Sequence, residues 1–282
     1  MTDSFMSSTS RFPGVWSLVK TLSAIAAACS LLGARVNAAD HALTVAVSLD
    51  IPPYVMANAT RGTEVYIMHL ALPNYRMKWV QMDYDALETA VPEKKADIAM
   101  SVQEHREGVF YSADYIGFAN FAISKKVDGL KIDHVADLKG HPVLTWQDAW
   151  TELGDAFKAQ YAPGSTERTN YVEVADQAEQ VRRFWQGKGN VIVIDRSIFD
   201  YFSEQQGHAL DGVEYHALFP KVTKFKVAFA DAAMRDEFNA RLKQLCASGE
   251  YQRILKLYHV ADMAGVCDGL TNSSPSEPRP KP

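Results

Sequence analysis

The strongest restriction on this chain is an alternation that runs along most of its length: short apolar, β-branched runs take turns with segments whose apolar residues recur at helical spacing. "HALTVAVSL" from His41 reads as a buried strand, Pro52 and Pro53 stop it, "GTEVYIMHLAL" from Gly62 has helical spacing, and "RMKWVQM" from Arg76 alternates as a strand. "DYDALETAVPEKK" then reads as a short helix with Asp83 or Asp85 as its cap, and "ADIAMSV" from Ala96 as the next buried strand. Parallel strands need a crossover between them, and helices of this length supply one. The spacing therefore predicts β-α-β units in an α/β fold.

A second set of the same kind follows "ADLKGH". Strands are expected in "PVLTWQ", "NYVEV" and "NVIVID", and helices in "TELGDAFKAQY", "ADQAEQVRRFWQG" and "RSIFDYFSEQ". Two extended stretches, "GFANFAISKK" and "KVTKFKVAFA", flank this set, as if the chain crossed out to a second lobe and back. "DAAMRDEFNARLKQLCASGEYQRILKLYHV" reads as two helices broken at Ser248 and Gly249 that return to cover the first lobe. The expected division is a leader at 1–38, a first lobe at 39–124, a second at 125–221, a return to the first at 222–262, and a largely disordered tail at 263–282. Hinge motion is expected at about residues 119–126 and 221–229. The end of the tail, "TNSSPSEPRPKP", is Ser- and Pro-rich and has nothing apolar to bury beyond its prolines.

The leader is expected because Arg11 and Lys20 precede the uncharged run "LSAIAAACSLL", and Val36 and Ala38 stand where a signal peptidase accepts residues before a cut. That run is too short to anchor the chain in a bilayer. An exported protein in the periplasm is the expectation. With 29 basic and 34 acidic residues the net charge is −5, and removing the leader takes away three basic residues and one acid. Nucleic acid and anionic membrane surfaces select concentrated Lys and Arg, so neither is an expected partner. Cys246 and Cys267 remain in an oxidising compartment; a disulfide tying the tail to the last helices is expected over two free thiols. Eight histidines are scattered without metal-ligand spacing, and no phosphate-cradling Gly motif is present, so no metal or other cofactor is expected.

"DIPPY", "ADIAMSV" with "HREGVFYSADY", "VADLKGHPV", "VIVIDRSIF" and the closing "VAFADAAMRDEFNARLKQLCASGEYQRILKLY" together resemble the family 3 extracellular solute-binding proteins, over about residues 41–260. The resemblance implies a two-lobed periplasmic-binding-protein fold, each lobe a β-sheet flanked by helices, joined by two crossover strands. It also implies a non-catalytic, monomeric receptor that closes on a small polar or amino-acid-like solute and passes it to an ABC permease in the inner membrane. Two rivals stand beside it. One is a periplasmic dehydratase-like enzyme on the same fold, with Asp148, Asp195 or Glu64 as its acid. The other is an accessory protein that docks onto a periplasmic enzyme or sensor.

Ligand residues are expected at the carboxyl ends of strands, where an open α/β sheet leaves a crevice. Asp50 and Tyr54 follow the first strand. Ser101 ends "ADIAMSV", and Arg106 beyond it offers a guanidinium fork for a carboxylate. A gapless comparison with the family pattern puts His105 at the family's Arg position instead, so both stay open. Tyr115 and Asn120 are candidates near the first crossing. In the second lobe Trp146, Gln147 and Asp148 replace the small hydroxyl cluster of amino-acid-binding relatives, with lobe core as the other reading for Trp146 and Trp150. Asp195 matches the position that pairs with a ligand ammonium, and is otherwise the cap of the next helix.

Overall fold

The computed structural model describes residues 42–103, 105–219 and 222–271. Residues 1–41, which hold the expected leader, and 272–282 lie outside the described residues.

The alternation produces two sheets. Strands β1 (Leu43–Ser48), β2 (Met77–Met82) and β3 (Ile98–Val102) are parallel and ordered β2-β1-β3, with helices α1 (Thr63–Ala71) and α2 (Tyr84–Ala90) as their crossovers. β4 (Phe110–Tyr111) and β5 (Ile116–Phe118) are short additions, while β6 (Asn120–Lys125) belongs to the other sheet. There β7 (Val143–Thr145) pairs in parallel with β8 (Tyr171–Glu173) and β9 (Val191–Asp195). Helices α3 (Ala149–Glu152), α4 (Asp155–Tyr161), α5 (Gln177–Gln186) and α6 (Arg196–Gln205) accompany these strands, and β10 (Val213–His216) closes the edge in the order β10-β6-β9-β7-β8. β11 (Thr223–Phe229) returns to the first sheet between β3 and β4. After it come α7 (Ala232–Ala247), α8 (Glu250–Leu257) and α9 (Val266–Thr271).

Each sheet is covered on both faces, and alternation along its strands sorts the side chains. Val45 and Val47 of β1 join the main core with α1 and α7, while Ala46 turns to the α2 side with Leu87 and Ala90. In β9, Ile192 and Ile194 face the main core, and Val191 and Val193 face Phe157 of α4. The main core runs through both lobes, which therefore share buried side chains at the crossing.

Several expectations change. "GFANFAISKK" is not one strand: it breaks at Ala119, where the chain leaves the first sheet, so the first crossing precedes the expected boundary at 124. "KVTKFKVAFA" lies in the first sheet as β11, and the second crossing is the loop between β10 and β11. "TELGDAFKAQY" is divided by Gly154, whose φ of +89° no helix interior accepts, and Trp150 and Thr151 belong to the short helix before it. The stretch 263–271, expected to be disordered, contains α9. It is held to α7 by the Cys246–Cys267 disulfide, with an S–S distance of 2.05 Å.

Candidate ligand-binding site

Two buried carboxyl groups, one from each lobe, organise the crossing. The first is Glu64, in the first turn of α1 and fully buried. The helix starts there because Gly62 (φ +121°) brings the chain against the loop after β1; a Cβ on Gly62 would lie 2.3 Å from the Tyr54 carbonyl oxygen. Thr63 N–H and Glu64 N–H then donate to the carbonyls of Pro53 and Tyr54 at 3.0 and 3.1 Å, so the start of α1 is stitched to the loop that carries Tyr54.

Glu64 Oε2 accepts from Ser101 Oγ at 2.6 Å and from Tyr115 Oη at 2.5 Å. A bulge delivers Ser101. Its φ is +55°, and the β3–β11 register shifts opposite it, so Val102 turns to the α2 side where strict alternation would have placed Ser101. Left-handed backbone at a side chain other than Gly costs about 1–2 kcal/mol, and here it aims a hydroxyl at a buried acid. Glu64 Oε1 is buried with no hydrogen-bond partner among the described residues. Burial pushes the Glu64 carboxyl above its usual range, and the two hydroxyls partly offset this.

The second carboxyl group is Asp195 at the end of β9. Its Oδ1 accepts from Tyr54 Oη at 3.0 Å, Ser197 N–H at 2.9 Å and Ile198 N–H at 3.1 Å, and its Oδ2 accepts from Ala119 N–H at 2.8 Å. One side chain thus caps α6, holds the crossing residue Ala119, and takes a hydrogen bond from the opposite lobe. Burial raises its pKa to about 6 despite those donors. Neither Glu64 nor Asp195 has an ion-pair partner among the described residues.

Aromatic rings surround the pair. Tyr54 lies 4.2 Å from Phe118, Phe118 5.0 Å from Phe225, and Phe225 6.3 Å from Tyr84, between ring centroids. The Tyr54, Tyr84 and Tyr115 hydroxyls are all pushed up, first by burial. Glu64 adds to each, and Asp195 adds to Tyr54 and Tyr84. Tyr84 as a whole residue remains 38% exposed. An acidic, aromatic-walled site of this kind suits a cation.

The structure brings Tyr54, Ser101, Tyr115 and Asp195 together and places other candidates elsewhere. Asp50 braces the loop instead: its carboxylate accepts from Asn58 N–H at 3.1 Å and Gln81 Nε2 at 2.8 Å, holding the left-handed residues Ala57, Asn58 and Ala59. Arg106 is exposed, and its backbone N–H donates to Tyr111 Oη at 3.0 Å. His105 is exposed against Tyr111 at 4.5 Å. Asn120 is half-buried and pairs with Asp195 in the β6–β9 register. Trp146 and Trp150 pack on the second-lobe core, and Gln147 and Asp148 are exposed in the turn before α3. A separate cavity of about 290 Å³, lined by Asp114, Lys224, Lys226, Val266 and Leu270 among others, includes none of the acidic cluster.

Sequence reasoning gave Glu64 only an enzymatic role and did not single out Tyr84, Phe118 or Phe225. A signal for Glu64 existed: it shares a helix face with Ile67 and Met68, both buried, and a lone acid on an apolar face is an anomaly. The three aromatics sit in segments whose facing depends on the crossing.

Two α/β sheets joined at two crossings, with Tyr54 of the first lobe donating to Asp195 of the second, are the architecture of a two-lobed solute-binding protein. The chain belongs to the bacterial extracellular solute-binding proteins, family 3, which it matches over residues 43–261. It is similar to the L-arginine-binding protein of Pseudomonas aeruginosa, 24% identical over 259 residues that cover 85% of this chain and 96% of that one. Among solved structures it resembles a histidine-bound ABC uptake transporter substrate-binding protein from Streptococcus pneumoniae (TM-score 0.60, 16% identity, 79% of this chain and 94% of that one). It also resembles the GluR0 ligand-binding core in complex with L-glutamate (TM-score 0.59, 17% identity, 77% and 98%). At these identities the structural likeness concerns the fold.

Proposed function

We propose that this protein is a non-catalytic periplasmic receptor that captures a small polar, amino-acid-like solute between its lobes and delivers it to an ABC importer in the inner membrane. The observation that carries the reading is the hydrogen bond across the lobes from Tyr54 Oη to the buried Asp195, with a second buried acid, Glu64, at the start of the helix stitched to the Tyr54 loop. A ligand that engages both lobes favours the closed form by the free energy of those added contacts, which is how a binding protein signals occupancy. The arginine-binding relative and the histidine-bound and glutamate-bound folds support amino-acid-like solutes as the class to test.

The test is a thermal-shift screen against amino acids, amines and small carboxylates. A ligand at 100 times its Kd adds about 2.7 kcal/mol, which raises Tm by roughly 5–10 °C for a chain of this size. A shift with one chemical class supports the receptor reading. A flat profile across all classes removes it and favours a docking role.

A further inference from the structure

Resting on the receptor reading, we infer that the preferred solute is an organic cation without a carboxylate, an alkylammonium or guanidinium compound whose charged head pairs with Glu64. Glu64 Oε1 is a fully buried acceptor with no partner among the described residues, while Oε2 is already satisfied by Ser101 and Tyr115. An unpaired oxygen on a buried carboxyl group is costly, and a cationic N–H donor supplies the missing hydrogen bond while favouring the ionised form that burial alone opposes.

Asp195 adds a second negative charge across the lobe boundary, and both charges act on the hydroxyls of Tyr54 and Tyr84. Tyr54, Phe118, Phe225 and Tyr84 form an aromatic chain beside these acids, suited to the stem and charge of an amine. A zwitterionic amino acid would bring its own carboxylate into this surround. Arg106, the guanidinium suited to receiving that carboxylate, is exposed by Tyr111. The residues grouped at the site attract an ammonium or guanidinium and repel an α-carboxylate.

Isothermal titration of the purified protein with arginine, agmatine (its decarboxylated analogue), 1,4-diaminobutane and glutamate tests this. At least one of the two amines should bind at least ten times more tightly than arginine, and glutamate should not bind. E64Q, checked for folding by circular dichroism, should lose at least tenfold affinity for that amine. Should the variant fail to fold, the wild-type ranking decides alone. Arginine binding as tightly as both amines, or glutamate binding best, overturns the inference and leaves the receptor reading standing. Failure of all four overturns it as well, and the wider thermal-shift screen then shows whether the receptor reading falls with it.

Discussion

Asp195 shows how one side chain is drawn into several tasks. Four donors converge on it, yet burial still leaves its pKa at about 6, above the ordinary aspartate value of 3.8. A carboxyl group whose pKa is raised on folding binds its proton more tightly in the native state. Its contribution to stability is complete below pH 3.8 and disappears as pH rises through about 6. Asp195→Asn removes that titration. The stability of wild type relative to Asp195→Asn should therefore rise by on the order of 1 kcal/mol from pH 7 to pH 5, as measured by urea denaturation at the two values. An unchanged difference would mean that Asp195 titrates normally. Affinity for any cationic solute should move the other way and weaken below about pH 6 as this charge is neutralised.

Helix starts are the elements on which the site depends. α1 begins where Gly62 permits contact with the Tyr54 carbonyl; Gly62→Ala places a Cβ against that backbone atom and forces a residue to hold φ near +121°. A loss of about 2 kcal/mol or more is expected in denaturant melts, with weaker ligand binding because Tyr54 and Glu64 both shift. α5 offers a control away from the site. Asp176 caps it by accepting from Glu179 N–H at 2.8 Å, so Asp176→Ala should cost about 1 kcal/mol and leave affinity unchanged. If the two variants lowered affinity alike, the effect of Gly62→Ala would be general destabilisation.

Across the whole molecule, the Cys246–Cys267 bond joins α9 to α7 and closes a loop with a sequence separation of 21. Cross-links of this span restrict the unfolded chain by about 3 kcal/mol. Replacing both cysteines by Ala should therefore lower Tm by roughly 6–12 °C in calorimetry at neutral pH. A drop of only a degree or two would show that α9 is held to α7 by packing alone. The main core is continuous through the crossing, so the two lobes share buried side chains.

What the sequence determined by itself was the architecture. Strand and helix periodicities of 2 and 3.6 are local, survive in any compact fold, and admit a parallel sheet only with crossovers. The two lobes and the broken final helix pair were accordingly legible, while the cysteine pairing was legible from the two cysteines left beyond the expected leader. Ser101 and Asp195 were legible as residues at the carboxyl ends of strands, Tyr54 as part of the loop after the first strand, and Tyr115 as a residue near the first crossing. Tertiary structure decided the rest. The bulge at Ser101 reverses which side of β3 faces Glu64, and the break at Ala119 assigns Phe118 and Asn120 to different sheets. Arg106 stands exposed by Tyr111, away from the buried acids. None of these follows from local spacing, since a single inserted residue turns a side chain to the opposite face, and only packing between distant segments selects the register.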